Sequence, residues 1–217
     1  MPYPDPYYNI VDEHEVRFHH NIEHVPSVSV RAKEIMSEKF KKILPLQENV
    51  LPIRFLILDI DGVMTDGTIT YTSSGEELKS FDVKDGQGLK FWERAGYAAG
   101  VITGRSSPIV ERRARELGIA FVEMGAKFKL PAFEKMIAEA GVRPEEVAMI
   151  GDDLPDYPLI IRAGLGVAVA DAVEEVKEAA AMVTEKPGGR GAVREVVDFI
   201  LKSQGRWEAV MERYLKA

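Results

Sequence analysis

Cysteine is absent from all 217 residues, so no disulfide, thiolate nucleophile or cysteine-rich metal site can form. Histidine is nearly as scarce. All four (His14, His19, His20 and His24) fall in the first two dozen residues, so chemistry later in the chain must use Asp, Glu, Lys, Arg, Ser, Thr or Tyr. Positive charge is not in excess either. A net charge of -7 without a basic stripe argues against a nucleic-acid partner. It leaves an anionic substrate open, because a bound cation reverses the local field. No apolar run is long enough to span a bilayer, and Met1-Pro2-Tyr3-Pro4-Asp5 does not open a signal peptide. The expectation is a cytoplasmic protein without a membrane partner. The rest is ordinary: 46% hydrophobic and 29% charged residues suit one globular domain with extensions.

Residues 1 to about 27 mix Pro, Tyr, His and acids without a period and read as an irregular arm. His20 and His24 have helical spacing, which suits a metal, although a solvated or interface segment is the plainer reading. Ala32, Ile35, Met36, Phe40, Ile43 and Leu44 share one helical face, so the pattern predicts a helix over 29–44 that Pro45 ends. The first core strand is expected over 53–58. Two alternating arms, 68–72 and 77–81, flank Ser73-Ser74-Gly75-Glu76 and predict a β-hairpin. A lone hairpin is marginal in water, so something should cover it.

After the hairpin, helices at about 87–94, 109–117, 128–140 and 173–180 alternate with strands at about 98–102, 119–122, 147–150, 165–169 and 182–183. Such alternation predicts an α/β fold, a Rossmann-like, doubly wound and mostly parallel sheet with helices on both faces. Helices over 193–201 and around Trp207, Val210, Met211, Tyr214 and Leu215 close the chain. The expected organisation is an arm and helix (1–52), a main domain (53–201) and a C-terminal helix (202–217).

Ligands bind at the carboxyl ends of strands in open parallel sheets, and four polar clusters here follow four strands. Asp59-Ile60-Asp61-Gly62-Val63 follows Phe55-Leu56-Ile57-Leu58. A carboxylate at Asp59 can attack phosphorus in line, and Asp61 can then serve the leaving oxygen and the hydrolytic water as acid and base. The pair can also simply bind a metal or cap a turn. Asp152 and Asp153 follow Val147–Ile150 and Gly151, and hard carboxylate oxygens suit Mg²⁺. The natural ligands are Asp59, Asp152 and the backbone carbonyl near Asp61, with Asp153 and Asp156 behind them. A polar turn is the alternative there. Thr103-Gly104-Arg105 opens a helix at Ser106-Ser107-Pro108, an anion site in which Thr103 meets phosphate and Arg105 clamps a second anionic group such as a carboxylate. Ser106 or Ser107 is also a candidate cap. Lys129 at a helix start can neutralise both phosphate and Asp59, with Lys127 as its competitor. Gly188-Gly189-Arg190-Gly191 can approach a ligand closely or merely link, and Asp85 is a candidate N-cap.

Together these motifs resemble the haloacid dehalogenase superfamily of phosphohydrolases, over about residues 53 to 201. Each is weak alone, and four in order are highly specific. Within it, Asp59 to Gly67, Gly75-Glu76-Glu77, Lys84 to Gly88, Ile102 to Ser107 and Gly188 to Glu195 are similar to the capless branch, close to the 3-deoxy-D-manno-octulosonate 8-phosphate phosphatases. The resemblance implies no separate cap domain, with the hairpin as a flap, and Mg²⁺ as cofactor. It also implies a phosphorylated sugar acid as substrate in lipopolysaccharide precursor synthesis, bound through Thr103, Gly104, Arg105, Lys129 and Arg190. The last implication is a homotetramer built through hairpin 68–81, which would supply the missing cover. The long arm, Phe128, Pro155, Tyr157 and the helix after Gly205 depart from the pattern. One alternative is a phosphatase for nonulosonate 9-phosphates of the sialic acid type, whose members carry an acid where Arg105 stands. An alternative of another class is a non-catalytic oligomerisation or regulatory module.

Overall fold

The computed structural model describes residues 49–216. The arm, its histidines and the helix expected over 29–44 lie outside the described residues. Strand β1 (Phe55–Leu58) is buried along its whole length. It lies at the middle of a six-stranded sheet, between β4 (Ala98–Thr103) and β6 (Val147–Gly151). A strand covered on both faces has no solvent side, which is why its sequence is an unbroken apolar run.

The sheet order is β5-β4-β1-β6-β7-β8 and every pairing in it is parallel, with β5 at Phe121–Met124, β7 at Leu165–Ala168 and β8 at Met182–Val183. The chain runs outward from β1 to β5, then returns past β1 to lay down β6, β7 and β8. Right-handed crossovers moving in opposite directions place their helices on opposite faces. Helices α1 (Val83–Arg94) and α2 (Pro108–Leu117) form one group, joined later by α6 (Ala192–Ser203) and α7 (Trp207–Leu215). Helices α3 (Lys129–Ala140), α4 (Tyr157–Ile160) and α5 (Glu174–Ala179) form the other. The reversal makes the β1/β6 boundary a topological switch point, where the loops after the strands part and leave a crevice. Among the described residues no second domain is inserted as a cap.

Within residues 49–216 the expected elements are found, with informative differences. The hairpin pairs β2 (Thr70–Tyr71) with β3 (Glu77–Leu78), far less than the arms predicted; among the described residues no further strand joins it, and Tyr71 and Leu78 stay exposed. Strand β5 begins two residues later than expected, since Ile119 still bonds back to Ala114 at the exit of α2. Helix α1 begins early at an Asp82 cap whose side chain accepts from the Lys84 amide. Asp85 is therefore not its cap. Ser107 does precede α2, but its hydroxyl makes no cap bond and turns elsewhere. In α7, Val210 is buried and Trp207 and Tyr214 pack edge-on against Phe91, whereas Leu215 leaves the expected stripe for solvent.

Candidate active site

Register brings the two acidic loops together. Leu58 pairs with Ile150, and the Asp59 amide donates to the Ile150 carbonyl at 3.1 Å, so Asp59 leaves β1 beside the chain that becomes Asp152. The close approach depends on Gly62. Its φ of +93° is rarely adopted by L side chains, and a Cβ there would lie 2.0 Å from Asp152 Oδ2. Lys129, at the start of α3, reaches the same point. Its Nζ stands 2.8 Å from Asp59 Oδ2 and 2.8 Å from Asp156 Oδ1. Asp156 is fully buried, and its other oxygen accepts the Asp152 amide at 3.1 Å. Lys127, the alternative cation, is exposed.

Asp59, Asp61, Thr103, Gly104, Arg105, Lys129, Asp152, Asp153 and Asp156 line one cavity of about 250 Å³. The convergence expected from four separate strands is thus found. Thr103 is buried at the tip of β4, and its hydroxyl accepts the Arg105 amide at 3.4 Å. Asp153 caps the following turn by accepting the Leu154 amide at 2.8 Å. Arg190 is not brought in: it is exposed and faces Asp66 at 3.4 Å. Larger hollows elsewhere, of about 540 and 560 Å³, contain no buried carboxylate.

The electrostatics single out two carboxylates. Burial, reinforced by the charge of Asp156, raises Asp59 to about 7 even with Lys129 opposing. Burial, then Asp59 and Asp156, raises Asp152 to about 8. On Lys129, burial acts downward but the charges of Asp156 and Asp59 outweigh it, so the ammonium is held above its usual range. Asp59 Oδ1 and Asp152 Oδ1 are buried and accept no hydrogen bond from the described residues. Oxygens of Asp59, Asp152 and Asp156 lie within 4.8 Å of one another. Asp156 already holds Lys129 and a backbone amide, so Asp59 and Asp152 present the open donors. Two hard, unpartnered anionic oxygens fit a divalent cation such as Mg²⁺.

Several contributors were not assigned from sequence. Lys79, beyond β3, pairs with Asp61, and its side chain is only 2% exposed. Glu77 accepts from Arg105 and Ser107, each at 2.7 Å. The charged i, i+2 spacing of Glu77 and Lys79, which puts both on one strand face, was the available signal. Asp85 is buried and accepts the Gly191 and Arg194 amides at 3.1 and 2.8 Å, capping α6 from across the fold. The loop it anchors lies on the loop that carries Asp59 and Asp61: the Gly189 amide donates to the Val63 carbonyl at 2.8 Å.

Residues 122–196 match the family model of the haloacid dehalogenase-like hydrolases. A 3-deoxy-D-manno-octulosonate 8-phosphate phosphatase from Yersinia pestis is 47% identical over 156 residues, covering 72% of this chain and 83% of that one. The chain belongs to this phosphatase family. A family member from Moraxella catarrhalis, solved with magnesium, phosphate and the sugar acid, superposes with a TM-score of 0.76 at 39% identity. It covers 78% of this chain and 97% of its own. A cobalt-bound member from Haemophilus influenzae gives 0.70 at 43% identity, covering 72% and 92%. Membership makes the chain a phosphoric monoester hydrolase on a fold the sheet order already displayed. Among the described residues, no helix is long and apolar enough to cross a membrane.

Proposed function

We propose that this chain is a Mg²⁺-dependent phosphatase that hydrolyses 3-deoxy-D-manno-octulosonate 8-phosphate to the free sugar acid and phosphate, in lipopolysaccharide precursor synthesis. The observation that carries the reading is the pair of buried, unpartnered oxygens on Asp59 and Asp152, next to a lysine already holding Asp59. The names of the relatives in Yersinia pestis and Moraxella catarrhalis support the substrate.

In this reading Asp59 attacks phosphorus as its bond to the sugar oxygen breaks, leaving an aspartyl-phosphate. Asp61 gives its proton to the departing oxygen. It then takes a proton from the water that attacks the same phosphorus and releases Asp59. Thr103 and Lys129 hold phosphoryl oxygens, and Lys129 offsets the charge that gathers there. Asp59, Asp152 and the Asp61 backbone carbonyl would hold Mg²⁺, with Asp153 and Asp156 behind them. Bound there, the cation supplies positive charge to the phosphoryl oxygens. Gly104 and Arg105 face the rest of the substrate, where a guanidinium matches the sugar carboxylate. Arg190 is assigned substrate contact by resemblance alone, its observed partner being Asp66.

The same reading makes the protein a cytoplasmic homotetramer with phosphatase domain 53–201, preceded by an arm and followed by the C-terminal helix 202–217. Exposed Ile69, Tyr71 and Leu78 on the hairpin suit burial against another copy. The deciding experiment is Asp59→Asn. Phosphate release with Mg²⁺ should fall to background, and release at the wild-type rate would refute the mechanism.

A further inference from the structure

Four charged side chains close a ring above the cavity. Lys79 pairs with Asp61, Asp61 Oδ2 lies 3.7 Å from Arg105 Nε, Arg105 Nη2 lies 2.7 Å from Glu77 Oε1, and Glu77 lies 3.6 Å from Lys79. Charges alternate around the ring. Two members come from the hairpin and two from loops that line the cavity. The hairpin is otherwise a poorly paired ribbon with exposed apolar residues, yet it buries one ammonium group almost completely. Burying a lysine is costly unless its partners are held in place, and an apolar contact would tether a ribbon at lower cost. The arrangement therefore calls for a role beyond attachment.

Resting on the reaction proposed above, we infer that the return arm of the hairpin positions two functional groups at once: Lys79 orients Asp61, and Glu77 orients Arg105. Lys79 and Glu77 are two residues apart on an extended segment, so both point to one side. The Asp61 carboxylate is partly exposed and would turn freely toward water. Lys79 on one oxygen and the Arg105 guanidinium near the other restrict that rotation. Arg105 is held more firmly. Its Nη2 donates to Glu77 and, at 3.3 Å, to the Tyr71 hydroxyl, while Ser107 fixes the far oxygen of Glu77 at 2.7 Å. A guanidinium held at one edge keeps Arg105, whose side chain as a whole is 40% exposed, on the cavity wall. A substrate with its own carboxylate gains from that preorganisation, and one without does not.

The test compares two phosphates of primary alcohols under Mg²⁺. One is 3-deoxy-D-manno-octulosonate 8-phosphate, and the other is mannose 6-phosphate, which has no carboxylate. Lys79→Met should lower kcat about 10- to 100-fold on both substrates, with KM changed less than about threefold, as misaligned proton transfer predicts. Lys79→Arg, which keeps the cation, should recover most of that loss. Glu77→Gln should raise KM for the sugar acid phosphate about tenfold. It should also shrink the kcat/KM preference over mannose 6-phosphate by a similar factor, a loss in the range of one charge-assisted bond. A hairpin that merely tethers would shift kcat and KM together on both substrates in both variants. That pattern overturns the proposal. So does a Lys79→Met kcat within about twofold of wild type, measured against the range for a lost acid-base group. The proposed function is judged separately on the wild-type enzyme. Equal treatment of the two phosphates would remove the sugar-acid reading and the Glu77 half with it, while the Lys79 half is still decided on mannose 6-phosphate.

Discussion

Lys129 Nζ lies midway between two acids, 2.8 Å from Asp59 Oδ2 and 2.8 Å from Asp156 Oδ1. One side chain thus neutralises the nucleophile assigned above and the buried group that supports the Asp152 loop. Removing one partner of a buried pair leaves uncompensated charge, so Lys129→Met should cost about 3–5 kcal/mol of stability. Uptake of a proton by Asp59, which burial raises to about 7, limits that loss in acid, so the loss should be larger at pH 8 than at pH 6. The rate of phosphate release should fall at least about 100-fold. Chemical denaturation at both pH values and a phosphate assay check these outcomes.

The raised carboxyls give the cation-free protein a definite pH response. Asp59 at about 7 and Asp152 at about 8 both lie above their ordinary value of 3.8. The stability they contribute is present in acid and is lost as pH rises through about 7 and then 8. Magnesium competes with those protons, so its affinity should rise over the same interval. Melting curves in chelator should show a falling Tm from pH 6 to pH 9. Added Mg²⁺ should raise Tm more at pH 8 than at pH 6. At about 100 times Kd the gain is about 2.7 kcal/mol, or roughly 5–11 °C for a domain of this size. A Tm that rises from pH 6 to pH 9 without metal would contradict the assignment.

Gly188 and Arg190 are neighbours with opposite expectations. A Cβ on Gly188 would lie 1.7 Å from the Gly62 carbonyl oxygen, backbone against backbone, with no flexible side chain to yield. Gly188→Ala should cost at least about 1–3 kcal/mol in urea unfolding and depress kcat by shifting the loop that carries Asp61. Arg190 is exposed, and Arg190→Ala should stay within about 0.5 kcal/mol of wild type. Its effect on KM then tests the assigned substrate contact without interference from stability.

The hairpin prediction concerns assembly. Leu78 is exposed and opposite Thr70 in the short ribbon. If hairpins pack together, Leu78→Asp should reduce the assembly below a tetramer, as read by light scattering, with unchanged far-UV circular dichroism. A wild-type protein that is monomeric across micromolar concentrations would remove the tetramer.

Much of the site could be read in advance because its residues follow strands, and strands announce themselves. Phe55–Leu58 is uninterrupted because it is central, so Asp59 had to emerge at an edge where ligands gather. Asp152 followed by the same logic from Val147–Ile150. The choice between Lys129 and Lys127 was open, since both flank one helix start and only packing sends one inward. Glu77, Lys79 and Asp85 escaped assignment for a common reason. Apart from the Glu77–Lys79 pair, their partners lie 18 to 109 positions away in the chain, and local periodicity carries no record of such pairings.

Local pattern was enough to establish the alternation of helix and strand, the order of the polar clusters and the place of Asp59 at a strand end. Backbone geometry and side-chain period suffice for each of these. Folding in three dimensions settled which acids share a cation-sized space, which lysine is buried, and how a barely paired hairpin comes to hold Asp61 and Arg105. Those outcomes depend on desolvation and on charges meeting across the fold, and neither exists until the chain has closed around them.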